Sequence, residues 1–193
     1  LVIFDGSGAA LPPIETRRRI LVVNAQQDPG VVTGYLNAYR HFISDLVVLT
    51  MAEAGSGWEQ LRDAAAELAP VVVATTLRPN PTADVSGRRV AFFSTAPQGA
   101  HASFRQHLAD EHGADVVHVS GALSDRGRLR EELESVDADV FLVELKAAAI
   151  DVVAEAAAER GVEVVLAGND VSSVAGGPEL DTELLRLADE AGG

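Results

Sequence analysis

Fifteen residues of this chain are Lys or Arg, and Lys146 is the only lysine among them. A sequence that writes arginine everywhere else marks the position where it does not. An ammonium is a compact, strongly hydrated point charge, whereas a guanidinium is a planar fork. Lys146 stands in Asp139-Val-Phe-Leu-Val-Glu-Leu-Lys-Ala-Ala-Ala-Ile-Asp151, where an apolar strand-like run passes into an alanine-rich helical pattern. Glu144 lies two residues before it, and residues two apart on a strand point the same way. In an open α/β sheet the carboxyl end of a strand is where ligands bind. There Lys146 could neutralise a phosphoryl group in transfer, while Glu144 could hold a metal ion or orient the lysine. The structural alternative is a local salt bridge between the two.

A second group opens the chain, Leu1-Val-Ile-Phe-Asp-Gly-Ser-Gly-Ala-Ala10. Four apolar residues ending in Asp5 form a Walker B-like pattern, whose carboxylate holds Mg²⁺ beside a triphosphate. Gly6, Ser7 and Gly8 would let backbone N–H groups approach phosphate oxygens. Many strands end in Asp only to cap a following helix, but Pro12-Pro13 stops a helix here. No G-x-x-x-x-G-K-[ST] motif occurs anywhere in the chain.

Further candidates sit at other strand ends. Arg78 precedes Pro79 in extended geometry and could clamp an anion bidentately; Glu53 follows another apolar run. Ser94 and Thr95 could cap a helix opening near Gln98 or bind phosphate there, capping being the plainer role. Ser120 follows a strand, Ser124 reads as the next helix cap, and Arg126 falls near that helix's N-terminus, against the macrodipole preference. His118 reads as a satisfied sheet histidine. His41, His101, His107 and His112 lack ligand spacing and read as surface residues, and Trp58 reads as packing.

These groups need strands to carry them. Val/Ile/Leu runs predict strands at 1–4, 20–24, 46–50, 71–75, 89–94, 115–119, 139–143 and 162–167. Helical patterns fall at 31–43, 57–69, 99–112, 125–136, 147–160 and 178–191. Their alternation predicts an α/β fold, a parallel sheet in a three-layer α/β/α arrangement. Arg78-Pro-Asn-Pro-Thr-Ala-Asp-Val-Ser-Gly87 is expected to break both element types and to divide the chain. Residues 1–84 are read as the back half of a P-loop NTPase-like domain, and 85–172 as a Rossmann-like domain. Residues 173–193 are a tail with a terminal helix, whose leucines allow packing on its own domain or on another copy, so oligomeric state stays open.

Composition narrows the partners. A net charge of −14 argues against nucleic acid and anionic membranes; a small anionic ligand stays possible in a locally positive site. The chain has no cysteine, which excludes thiolate catalysis and Cys-based metal sites. Apolar runs are too short for a membrane span, no signal peptide is seen, and a cytoplasmic location is expected. A strand pattern beginning at Leu1 without an initiator Met points to an upstream amino-terminal half of the same protein.

Five segments, in this order, resemble the cyclic 2,3-diphosphoglycerate synthetases: Phe4 through Pro13, Ser44 through Glu53, Leu77-Arg-Pro79, Ser120 through Arg126, and Glu144 through Val153. The first and last are the specific ones. The resemblance is to the carboxyl-terminal half of such an enzyme. It implies an ATP-dependent ligase that closes the two phosphates of 2,3-diphosphoglycerate into an intramolecular anhydride, with ATP and Mg²⁺ as cofactors. Asp5 would then help hold Mg²⁺; Lys146, Arg78 and Arg126 would neutralise substrate phosphates; Ser7 and its flanking glycines would donate hydrogen bonds. Without its upstream half the isolated chain is expected to be inactive. Two other readings compete: a P-loop-type kinase or ligase on another small phosphorylated acid, and a non-catalytic nucleotide- or anion-binding module.

Overall fold

Short Val-, Ile- and Leu-rich runs become strands because each can bury side chains on both faces of a sheet. The computed structural model describes residues 1–6, 14–53, 55–145 and 149–192. Its strands are β1 (Ile20–Asn24), β2 (Leu46–Thr50), β3 (Val72–Pro81), β4 (Arg89–Phe93), β5 (Asp115–Ser120), β6 (Val140–Glu144) and β7 (Glu163–Ser173). Its helices are α1 (Pro29–Val32), α2 (Tyr35–Phe42), α3 (Trp58–Ala66), α4 (His101–His112), α5 (Arg126–Ser135), α6 (Ile150–Arg160) and α7 (Leu180–Gly192). A single 3-10 turn, Gln98–Ala100, leads into α4. Two compact units result: Leu1–Leu77 with Val171–Gly193, and Arg78–Asp170.

In the first unit β1, β2 and β3 are neighbours and run parallel, with Ile20 opposite Leu46 and Val47 opposite Val72. The period-2 alternation of β2 decides the packing. Val47 and Leu49 join Trp58, Leu61 and Ala65 of α3 in one core. Leu46 and Val48 join Val73 and Leu187 of α7 in a second. The single helix expected at 31–43 is two helices. A Cβ on Gly34 would lie 2.4 Å from the Gly30 carbonyl oxygen, so the chain can double back only at a glycine, and Tyr35 leaves the turn at φ 45°. Leu1–Phe4 is not a strand: residues 1–6 have no regular structure, and Ile3 is 82% exposed. An apolar run needs a neighbouring ladder to become a strand, and among the described residues none pairs with it.

In the second unit the order is β7-β6-β4-β5, and all three pairings are parallel. Val90 and Phe92 of β4 face Phe104 and Leu108 of α4. Ala91 and Phe93 face a separate cluster with Leu129 and Leu133 of α5 and Val152 and Val153 of α6. Phe92 meets Phe104 edge-on at 5.7 Å and Phe93 meets Phe141 at 5.4 Å. Each such buried side chain is worth about 1.5–3 kcal/mol. The order reverses at β4, which has β5 on one side and β6 on the other.

The sheet is mixed rather than parallel throughout. In the first unit Val174 N–H donates to the Ala74 carbonyl (2.8 Å) and Thr76 Oγ1 to the Ser172 carbonyl (3.5 Å), an antiparallel progression. In the second, Asn80 Nδ2 donates to Asp170 (2.9 Å) and Thr82 N–H to the Leu166 carbonyl (2.8 Å), again antiparallel. The prolines expected to break β3 lie within it. The β2–β3 register ends at Ala74, so Pro79 and Pro81 lack an N–H where β2 does not need one.

His107 and His112 meet edge-on at 5.4 Å. Burial, then the charges of His112 and Arg78, push the His107 pKa below its ordinary 6.5; Glu111 and the Pro79 carbonyl oppose this more weakly. Neutral His107 therefore contributes stability that is complete above pH 6.5 and is lost as pH falls through the lowered value. His107→Gln should flatten the loss of melting temperature between about pH 6.5 and 5, as read by thermal denaturation across that range. An unchanged slope would count against it.

Candidate functional site

Glu144 is the last residue of β6, at the strand's carboxyl end. The residues after β4 and along β7 reach it. Thr95 donates to Glu144 Oε2 through its backbone N–H (2.8 Å) and its hydroxyl (3.1 Å). Asn169 Nδ2 donates to Oε1 (3.1 Å). Three donors on two oxygens fix the carboxylate where the strand order reverses, between β4 and β6. That is the position at which open α/β sheets hold ligands. Of the expected site residues, the structure brings Thr95 and Glu144 together. Asn169 was missed: it lies beyond the strand expected at 162–167, which in the structure continues to Ser173, and a lone amide carries no motif.

The loops after β4 and β5 are built alike. Ser94 and Ser120 are each 1% exposed. Ser94 Oγ accepts from Ala96 N–H and Ser120 Oγ from Ala122 N–H, both at 3.0 Å. Neither Ser94 nor Thr95 caps a helix: the 3-10 turn and α4 have no side-chain cap. Ser120 also hydrogen-bonds Glu132. Burial pushes the Glu132 pKa up, but hydrogen bonds from Ser120, Arg128 and His118 outweigh it and hold the carboxyl below its usual range. His118 is accordingly a satisfied sheet histidine, its Nε2 3.4 Å from Glu132.

Gly121 keeps the two loops close. A Cβ there would lie 2.4 Å from the Ala96 carbonyl oxygen and 3.2 Å from His101 Nε2. The first contact is with backbone that Leu123 N–H ties to Ser94 O (3.1 Å) and cannot yield cheaply. Gly121→Ala should cost about 1–3 kcal/mol and displace Thr95 from Glu144. A melting midpoint unchanged from wild type would refute this.

The other expected residues lie elsewhere. Arg126 opens α5 and forms a bidentate pair with Asp151 of α6, at 2.9 and 2.6 Å. The hydrogen bond to Asp151 raises its pKa, and the same bond lowers that of Asp151. That partner accounts for a cation at a helix N-terminus. The cap of α5 is Asp125, one residue past the expected Ser124, accepting from Gly127 and Arg128 N–H. Arg78 lies in β3, and its charge acts on His107. Asp5 and Gly6 are exposed, and a Cβ on Gly6 would meet nothing within 4 Å. Ser7, Gly8 and Lys146 lie outside the described residues. β6 ends at Glu144, and Leu145 lies in a turn. No group of three or more His, Asp or Glu that could hold a metal occurs among the described residues.

The first unit has a cleft of about 420 Å³ beside β1, lined by β1, α1 and α2 residues. His41 lines it and is 1% exposed, not the surface residue expected. Its Nδ1 lies 2.9 Å from the Asn37 carbonyl oxygen and donates to it, which leaves Nε2 buried and without a hydrogen-bond partner among the described residues. Met51, just after β2, holds φ 62°, a rare backbone state for a non-glycine residue.

Comparison with known proteins adds a second line of observation. The P-loop domain of cyclic 2,3-diphosphoglycerate synthetase matches residues 1–78, and the C-terminal domain of that synthetase matches 81–170. A protein of that name from Rubrobacter xylanophilus is 49% identical over 199 residues, covering 100% of this chain and 44% of its own length. One from Methanothermus fervidus is 37% identical over 87% of the chain and 38% of its own length. One from Thermococcus gammatolerans is 37% identical over 97% and 43%. The chain thus spans less than half the length of these relatives.

Proposed function

The chain belongs to the cyclic 2,3-diphosphoglycerate synthetase family, and from that premise we propose that it is the carboxyl-terminal part of a cytoplasmic ATP-dependent ligase. In this reading residues 1–84 complete a P-loop NTPase-like domain and 85–172 form a Rossmann-like, three-layer domain. A further amino-terminal portion carries the rest of the nucleotide site, and the isolated chain is inactive. The substrate is 2,3-diphosphoglycerate. A new P–O–P bond joins its two phosphates, the displaced oxygen leaves in inorganic phosphate, and ATP becomes ADP.

The observation that carries this reading beyond family membership is the Glu144 carboxylate, held at the strand reversal by Thr95 and Asn169. Closing the ring brings two polyanionic groups within bonding distance. The chain's own part is to orient them and supply local cations despite a net charge of −14. Lys146 and Arg78 neutralise substrate phosphates, with Arg126 contributing once its pair with Asp151 is exchanged. Glu144 orients Lys146 while Thr95 and Asn169 orient Glu144, and Ser120 shapes the neighbouring loop. Gly6, Ser7 and Gly8 offer donors to phosphate oxygens. Mg²⁺ commonly takes only one or two protein carboxylates, the remainder being phosphate and water. The single exposed Asp5 fits that share, and the ion would supply charge neutralisation beside the triphosphate.

Phosphorus NMR of 2,3-diphosphoglycerate with Mg²⁺-ATP and the complete enzyme tests the reading. Upfield anhydride resonances should appear together with ADP and phosphate. ATP hydrolysis without them would move the reading to another phosphorylated acid, and no ATP consumption would favour a binding module.

A further inference from the structure

The β1 edge of the first unit is unfinished. β1 ends the strand order, so among the described residues no strand pairs with its outer edge. On β1 itself Ile20 is 45% and Val22 64% exposed. On α2 beside it, Leu36 is 61%, Tyr39 51% and Phe42 73% exposed. A strand edge left open between apolar residues is a template for another strand, and apolar surface grouped this way marks an interaction site. His41 lines the cleft along β1, and its buried Nε2, an acceptor in the neutral ring that donates through Nδ1, has no partner among the described residues. Such an orphan is costly unless something supplies an N–H or O–H.

We propose that this face seats further polypeptide of the synthetase chain, which adds a strand to β1, covers α2 and donates a hydrogen bond to His41 Nε2. The relatives have that polypeptide to give, since this chain matches only 44% of the Rubrobacter protein. A second copy fits the face less well. Residues 14–43 carry four arginines against Glu15 and Asp28; Arg18 is paired with Asp45 and Glu190, and the remaining positive excess is what two copies meeting here would bring together. The proposal rests on the reading that the enzyme extends beyond this chain, but not on the reaction it catalyses.

The chain has no cysteine, so introduced thiols report cleanly on exposure. Val22→Cys and Phe42→Cys are made in this chain and in a chimera carrying it in place of the matched region of the Rubrobacter protein. Leu185→Cys, on α7 at a site 68% exposed, is the control, and the chimera without an introduced thiol gives the background. Maleimide labelling at 22 and 42 should slow about tenfold or more in the chimera, with 185 unchanged. Equal rates in both forms would overturn the proposal. So would protection in the short chain with a dimer in sedimentation, which would make the occupant a second copy. If the chimera does not fold, hydrogen exchange on the intact Rubrobacter protein reads the same surface. The segments aligned with β1 and α2 should exchange slowly, and fast exchange across both would reject the proposal. Absence of anhydride formation would leave either result standing.

Discussion

Glu144→Gln is expected to lower turnover of the complete enzyme about a hundredfold or more, with a much smaller change in stability. The two effects arise from different atoms. Glu144 accepts from Thr95 N–H, Thr95 Oγ1 and Asn169 Nδ2 across both carboxylate oxygens. Glutamine can keep its oxygen toward Thr95 and turn its NH₂ toward Asn169, whose amide rotates to accept through Oδ1. Exchanging charge-assisted bonds for neutral ones costs about 1 kcal/mol and lowers the melting midpoint by a few degrees. The larger loss is of negative charge at the strand reversal, which no repacking restores. Asn169→Ala separates the two effects, since it removes a single donor and leaves the charge. It should reduce turnover only several-fold and raise KM little. Turnover by Glu144→Gln equal to wild type would remove this carboxylate from the site, whatever the melting data show.

The sequence made the central strands legible because their burial needs nothing beyond their own pattern. Ile20–Asn24 and Leu46–Thr50 appear with the bounds their Val and Leu runs indicate. Where a feature depends on a neighbour, local pattern misleads. Leu1–Phe4 is as apolar as β2, but among the described residues no ladder lies beside it. Pro79 and Pro81 look like breakers, yet they sit where β3 has left β2. Position 34 looks like one more residue in a helix until the Gly30 carbonyl is found where its Cβ would be.

The site divides in the same way. Glu144 was readable because a charged residue closing an apolar run is conspicuous in any α/β sequence. Thr95 reads as a helix cap and Asn169 falls past the strand expected at 162–167, because the contacts that unite them with Glu144 span 49 and 25 residues. Arg126 shows the converse. Its awkward place at a helix start looked like a ligand's signature, yet Asp151, equally remote in sequence, supplies the missing partner. Charges answered by distant side chains leave no periodic trace.

Lys146→Ala should cut turnover of the complete enzyme about a hundred- to a thousandfold, while the melting midpoint stays within a degree or two of wild type. The reason is chemical. Two phosphates that must form an anhydride repel one another, and in a chain of net charge −14 a cation at the point of closure is scarce. Lys146→Arg is the sharper variant. If position 146 served only to carry positive charge, arginine would restore most of the activity, as fourteen other positions in this chain show it is acceptable to the fold. If the reaction needs a compact ammonium that can follow the phosphoryl group as bonds change, the planar guanidinium will restore binding without rate. The expected outcome is therefore a KM near wild type and a kcat still depressed tenfold or more, on the order expected for a misplaced electrostatic contact. Full recovery by arginine would assign the lone lysine to chance, and full activity of the alanine variant would remove it from the mechanism altogether.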